Sequence, residues 1–222
     1  MRRTFGLVEF RNYRIREGRA SEFARYFDGQ GFPEALQKCG VAVLGQFEVV
    51  DHPDRFVWIR AFERGSERGP SLDAFYSSQF WKSRRFETNQ LLLEYDNVFL
   101  LRPDPSWLGA NRTERTPAAQ DDRVVLAVIL YLSAIDELTP QQSDILDSLI
   151  AMDPTRELAR LVSAEVDNDY PRLPLREEPV FVWLVSVPGP EQARTLEKRV
   201  VRELGDHVEV MMLRPTANSL LR

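Results

Sequence analysis

Apolar and polar positions alternate from Leu7 to Tyr13. That period of two predicts a strand with Leu7, Glu9, Arg11 and Tyr13 on one face and Val8, Phe10 and Asn12 on the other. After Gly18 the period lengthens. Phe23, Tyr26, Phe27 and Leu36 recur at helical intervals and predict helix over Ser21–Lys38, with a break near Gly31 where Gly29, Gly31 and Pro33 cluster. Gly40 is the stop signal. Val41–Val50 and Arg55–Phe62 predict a hairpin about the turn Asp51–Asp54, and Gly45 marks a bulge or a close backbone approach. Glu63–Pro70 reads as a loop. Ser71 reads as the cap of a helix running to about Phe86, and Tyr95–Arg102 as a strand stopped by Pro103. The order is β-α-β-β-α-β, the ferredoxin-like unit.

The same order returns later. Val124–Leu132 is almost wholly apolar, as a strand buried on both faces must be. Thr139-Pro140-Gln141-Gln142 carries the pattern of a capping box. Leu158–Val166, Val180–Val187 and Val208–Arg214 read as strands, and Pro190 opens a helix that Gly205 ends. Phe56-Val57-Trp58-Ile59 is echoed by Phe181-Val182-Trp183-Leu184, and Leu101-Arg102-Pro103 by Leu213-Arg214-Pro215. The chain therefore reads as a tandem duplication: one unit over 1–103, a connector over 104–122 and a second, divergent unit over 123–222. The interval from Trp to Leu-Arg-Pro is longer in the first unit, so that unit carries an insertion or a longer helix. Pro105, Gly109 and Pro117 make the connector extended, with Trp107 docking on a neighbouring element. Strands apolar on both faces need cover on both sides, and helices supply only one. This predicts that the two units pack their sheets together within one chain; the alternative is pairing between two chains, and a homodimer stays open.

At 222 residues, 43% of them hydrophobic, the chain has material for an ordinary core. A net charge of −5 offers no basic footprint for nucleic acid. No apolar run approaches the roughly 20 residues that span a bilayer. The opening residues run directly into a strand pattern rather than an apolar signal segment. The single Cys39 cannot form an intramolecular disulfide, so a cytoplasmic, reducing location is expected, with Cys39 a structural thiol. His52 and His207 sit in predicted turns, and no Cys or His cluster offers a metal site. There is no dinucleotide-binding glycine motif, P-loop or nucleophile elbow, and no cofactor is expected.

Glu9-Phe10-Arg11-Asn12-Tyr13, Gly18, Leu44-Gly45-Gln46-Phe47, Phe56–Phe62, Phe75-Tyr76, Trp81, Asn89 and Asn97–Pro103 stand together in order over about residues 5 to 105. That set resembles the NIPSNAP family. The resemblance implies an α+β barrel of the dimeric type, in which two ferredoxin-like units pair their sheets. It also implies relatives that include cofactor-independent monooxygenases, haem-degrading enzymes and stress proteins. The second unit departs from the pattern: Val185 stands in place of Arg60, and nothing matches Glu9–Tyr13.

Arg60 is the most informative residue. Alternation places Phe56, Trp58, Arg60 and Phe62 on one face, and a buried guanidinium among aromatics needs a partner. Glu9 is in reach of Arg60 or Arg11 across the sheet. One reading is a structural ion pair. The other is an anion or carbonyl clamp in a pocket between sheet and helices. Arg11, Trp58, Arg60, Tyr76, Trp81 and Asn89 are the candidate ligand-binding residues, and Arg60, Tyr13 and Tyr76 the catalytic candidates. Aromatic stripes also serve simply as core. The expected function is binding of a small apolar or aromatic metabolite, with a metal-independent enzyme of monooxygenase, cyclase or isomerase type as one form of it. The alternative is a non-catalytic scaffolding protein whose barrel serves only for assembly.

Overall fold

The structure, a computed structural model, describes residues 4–104, 122–133, 138–151 and 155–222. In the first half β1 (Leu7–Ile15) is followed by α1 (Ala20–Gly29), α2 (Phe32–Lys38), β2 (Ala42–Val49), β3 (Arg55–Phe62), α3 (Arg68–Ser77), α4 (Gln79–Leu91), the short β4 (Leu92–Glu94) and β5 (Val98–Pro103). The second half runs β6 (Val124–Tyr131), α5 (Pro140–Ile150), β7 (Arg156–Ser163), β8 (Val180–Val187), α6 (Gly189–Leu204) and β9 (Val208–Pro215). Each half orders its strands in the ferredoxin-like way: β5-β1-β3-β2 in one and β9-β6-β8-β7 in the other.

The two sheets do more than face each other. β2 pairs antiparallel with β9 through Phe47–Val49, and β5 pairs antiparallel with β7 through Leu101–Pro103. Together with the β1–β3 pairing these joints close eight strands into one barrel, leaving β4 as a short flap on β1. Closure removes the sheet edges that would otherwise present unpaired backbone groups. The fold is α+β, and of the two expected arrangements the pairing within one chain is the one found.

Alternation decides what each strand shows to the inside. Val57, Ile59 and Ala61 of β3 and Val180, Val182 and Leu184 of β8 point inward, where they join Val8, Phe10, Phe99, Ile129 and Met211. Outward, β8 presents Phe181, Trp183, Val185 and Val187 to α5 and α6. β3 presents Phe56, Trp58 and Phe62 outward to the helices of the first half. Burial of each such side chain contributes roughly 1.5–3 kcal/mol of transfer free energy.

Several boundaries differ from expectation. The helix expected over Ser71–Phe86 is two helices. Ser78 is extended, with ψ of 155°, and its hydroxyl accepts from the Trp81 N–H at 3.2 Å while donating to the Phe75 carbonyl, so it caps α4 rather than lying inside a longer helix. α3 starts at Arg68, inside the expected loop. Pro70 is tolerated in its first turn. The Gly69 N–H, which has no partner within the helix, is capped at 2.7 Å by Asp169 from the other half of the chain. The strand expected from Tyr95 begins at Val98, because Leu92–Glu94 pairs separately with β1. β7 ends at Ser163, three residues short of expectation.

The other signals match. Gly31 has φ of 78° at the break between α1 and α2. The register of β2 shifts between Val43 and Gly45. The Thr139 capping box is complete. Residues 105–121 of the connector, Trp107 among them, lie outside the described residues. No described helix is long and apolar enough to cross a membrane.

Candidate functional site

Glu9 and Arg11 of β1 and Arg60 of β3 lie on the outer, helix-covered face of the barrel, since Glu9 is the cross-strand partner of Arg60 and Arg11 that of Trp58. They do not point into the barrel interior between the sheets. α3 brings a fourth charged side chain, Arg68, to the same place. All four are fully buried. The Glu9 carboxylate accepts from Arg60 Nε at 2.7 Å, from Arg68 Nε at 2.7 Å and from Arg11 Nη1. Burial pushes its carboxyl pKa up, but the guanidiniums of Arg60, Arg11 and Arg68 together outweigh that and hold it well below the usual carboxylate range.

One carboxylate therefore serves three guanidiniums. Arg68 has a second anionic partner, Asp169, and also donates to Asn168 Oδ1 at 3.1 Å. Tyr13 accepts from Arg11 Nε at 2.9 Å. Burial pushes the Tyr13 pKa up against the opposing pull of Arg11, so its hydroxyl stays neutral and supplies no charge. Three cations thus face two anions, one of which, Asp169, is more than a third exposed. Aromatic faces offset part of the surplus. Arg11 lies 5.3 Å from the Tyr13 ring centroid and 5.5 Å from that of Trp58, and Arg60 lies 5.3 Å from Trp58 and 5.9 Å from Phe62.

Donors remain over. Nη1 and Nη2 of Arg60, Nη2 of Arg11, Nη2 of Arg68 and Nε1 of Trp58 are buried without a hydrogen-bond partner. Buried polar groups are ordinarily paired, and each unmade bond costs roughly 1–3 kcal/mol. Such a concentration of spare donors on one face can receive an oxygen that carries negative charge, or a carbonyl that gains it.

The second half helps to cover this centre. After β7 the chain leaves the sheet and runs along β5, tied by the Ala164 N–H to the Leu100 carbonyl at 2.9 Å and the Arg176 N–H to the Val98 carbonyl at 2.8 Å. Tyr170 and Leu173 of this strap are buried in the hydrophobic cluster of the first half. Tyr170 stacks on Tyr76, centroids 5.9 Å apart, and Tyr76 meets Trp81 edge to face at 5.1 Å. Between strap and β5 lies an open cleft of about 480 Å³ whose lining includes Leu100, Asn168, Glu165 and Asp167.

Of the expected residues, the structure gathers Arg11, Tyr13, Trp58 and Arg60 in one contact set, with Tyr76 and Trp81 in the aromatic layer beyond. Asn89 is not among them. It is exposed on α4, and the inward position on that turn belongs to Thr88, which bonds Tyr26. Arg68 falls within Glu63–Pro70, which reads as loop, and Asn168, Asp169 and Tyr170 fall in a stretch without periodicity. A lone Arg-Gly-Pro before a helix was the one signal for Arg68. Cys39 is half-buried at the end of α2, where burial pushes its thiol pKa up. Among the described residues no group of three or more His, Cys, Asp and Glu side chains is placed to hold a metal ion.

Among the described residues the second half has no equivalent centre on its outer face. Val185 occupies the place of Arg60, and Trp183 Nε1 is satisfied at 2.9 Å by Glu157, which also pairs with Arg160.

No family model matches the chain, and no curated protein sequence matches it. Solved structures do. A candidate monooxygenase from Lactobacillus acidophilus is 12% identical, covering 96% of this chain and 94% of its own, with a TM-score of 0.52. An anthrone oxidase-like protein is 13% identical over 96% of this chain and 92% of its own, also with a TM-score of 0.52. A NIPSNAP domain protein from Burkholderia xenovorans is 20% identical, covering 46% of this chain and 97% of its own, with a TM-score of 0.41. The full-length likenesses, at these identities, are likenesses of fold.

Proposed function

We propose that this protein binds a small apolar or aromatic molecule on the helix-covered face of its first half, with Arg60 and Arg11 contacting a polar oxygen of that molecule and Trp58, Tyr13 and Tyr76 forming its apolar surroundings. The observation that carries the reading is the set of buried guanidinium nitrogens left without partners around Glu9. A purely structural cluster would be expected to match its charges, because surplus buried cations weaken a fold. Neighbouring barrels are described as a monooxygenase and as anthrone oxidase-like, and an enzyme is one form of this reading. In that form of the reading Arg60 would stabilise charge developing on a substrate oxygen, and Tyr13, kept neutral, would donate or accept a hydrogen bond.

The alternative is a non-catalytic assembly protein. Its support is that Arg11 and Arg60 both pair with Glu9 and are fully buried. Native mass spectrometry of the purified chain, with and without Arg60→Met, separates the two. The binding reading expects a co-purified or added small molecule that the variant loses while its melting temperature stays near that of the parent, since Glu9 keeps two guanidinium partners. Unfolding of the variant together with no bound molecule in the parent would favour the assembly reading.

A further inference from the structure

The way the three arginines divide their nitrogens is unequal. Arg11 spends Nε on Tyr13 and Nη1 on Glu9. Arg68 spends Nε on Glu9 and Nη1 on Asn168 and Asp169. Each keeps one spare nitrogen. Arg60 contacts Glu9 through Nε and, alone of the three, leaves both terminal nitrogens, Nη1 and Nη2, unpartnered. Two terminal nitrogens in one plane are the end-on fork that meets the two oxygens of a carboxylate. The Trp58 ring stands 5.3 Å from the same guanidinium, and its Nε1 is a further free donor.

Charge balance sets how much negative charge the centre can neutralise. Three guanidiniums face Glu9 and Asp169, which leaves a surplus of one. A dianion would overshoot. The strap cleft lies beside this centre. Its Leu100 is the cross-strand partner of Glu9, and its Asn168 accepts from Arg68.

We infer that the ligand is an aromatic or apolar monocarboxylate whose carboxylate lies end-on against Nη1 and Nη2 of Arg60; this rests on the binding reading above and adds the chemical class. A neutral carboxamide of the same shape brings one donor group to a place that already has only donors. A phosphate monoester brings the second charge.

The test uses the full chain and three probes of matched size: benzoate, benzamide and phenyl phosphate, titrated by calorimetry and followed by thermal melting. Benzoate is expected to bind saturably, with benzamide and phenyl phosphate at least tenfold weaker. Arg60→Met is expected to weaken benzoate tenfold or more. Arg60→Lys, which keeps the charge and loses the fork, is expected to weaken it severalfold and covers the case in which the methionine variant does not fold. Benzamide binding as well as benzoate, phenyl phosphate binding more tightly, or benzoate affinity unchanged in Arg60→Lys would overturn the inference. Arg60-dependent binding of benzamide at benzoate's strength would sink the carboxylate class alone. Binding of none of the probes, with no small molecule retained by the purified chain, would sink the binding reading with it.

Discussion

Arg68 and Asp169 are 101 residues apart in sequence and are joined by an ion pair, with the Gly69 N–H donating to the other Asp169 oxygen. One carboxylate thus caps α3, partners a buried guanidinium and pins the strap of the second half to the first. Asp169→Ala is expected to lower stability by about 1–2 kcal/mol, the sum expected for a lost cap and a partly exposed charge partner. Urea melts measure it. Faster proteolysis within 164–178 should accompany the loss, and an unchanged melt with an equally resistant strap would show that the pair pins nothing.

Removing the centre's carboxylate is a different matter from removing one of its arginines. Glu9→Gln leaves three buried guanidiniums with Asp169 as their only charged partner, and a cost of about 3–5 kcal/mol is expected. Arg60→Met leaves Glu9 with two partners and should cost clearly less. Chemical denaturation of the two variants gives the ranking directly; the reverse order would mean that the cluster is not over-supplied with cations.

The same carboxylate dictates an acid limb. Its folded pKa is depressed by Arg60, Arg11 and Arg68 acting against burial, so the unfolded chain takes up the proton first. Its contribution is therefore fully present above the unfolded carboxyl value of roughly 4.3 and is lost as pH falls from there toward the lower folded value. Stability measured from pH 6 down to pH 2 should fall more steeply in the parent than in Glu9→Gln. Parallel curves would refute the assignment.

Trp183 is the second-half counterpart of Trp58, with its indole nitrogen already satisfied by Glu157. Trp183→Phe should cost about 1–2 kcal/mol through the lost bond and the smaller ring. It should leave small-molecule binding unaltered. Loss of binding in this variant, with Arg60→Met still binding, would move the site to the second half.

At Gly45 an added Cβ would overlap the Phe47 ring, which is fully buried inside the barrel. Gly45→Ala should therefore destabilise by about 1–3 kcal/mol. A calorimetric melt within a degree of the parent would show that the bulge relaxes instead.

The sequence by itself determined everything that depends on local periodicity. A strand has one pleat, so Leu7, Glu9, Arg11 and Tyr13 share a face wherever β1 is placed, and Arg60 falls with Phe56, Trp58 and Phe62 for the same reason. Doubly apolar Val124–Tyr131 and Val180–Val187 demanded two covering layers, which pairing of the sheets supplies whether within one chain or between two. Local chemistry likewise announced the Thr139 cap and the break at Gly31. Tertiary structure decided what periodicity has no access to. It chose which face of β1 and β3 the helices cover, joined β2 to β9 and β5 to β7, and started α3 at Arg68 by supplying a cap from Asp169. Arg68, Asn168, Asp169 and Tyr170 belong to the centre only because two segments without a repeating pattern of their own meet there. Their contacts join positions some hundred residues apart, and the free energy of such long-range pairing leaves no local signature in either stretch.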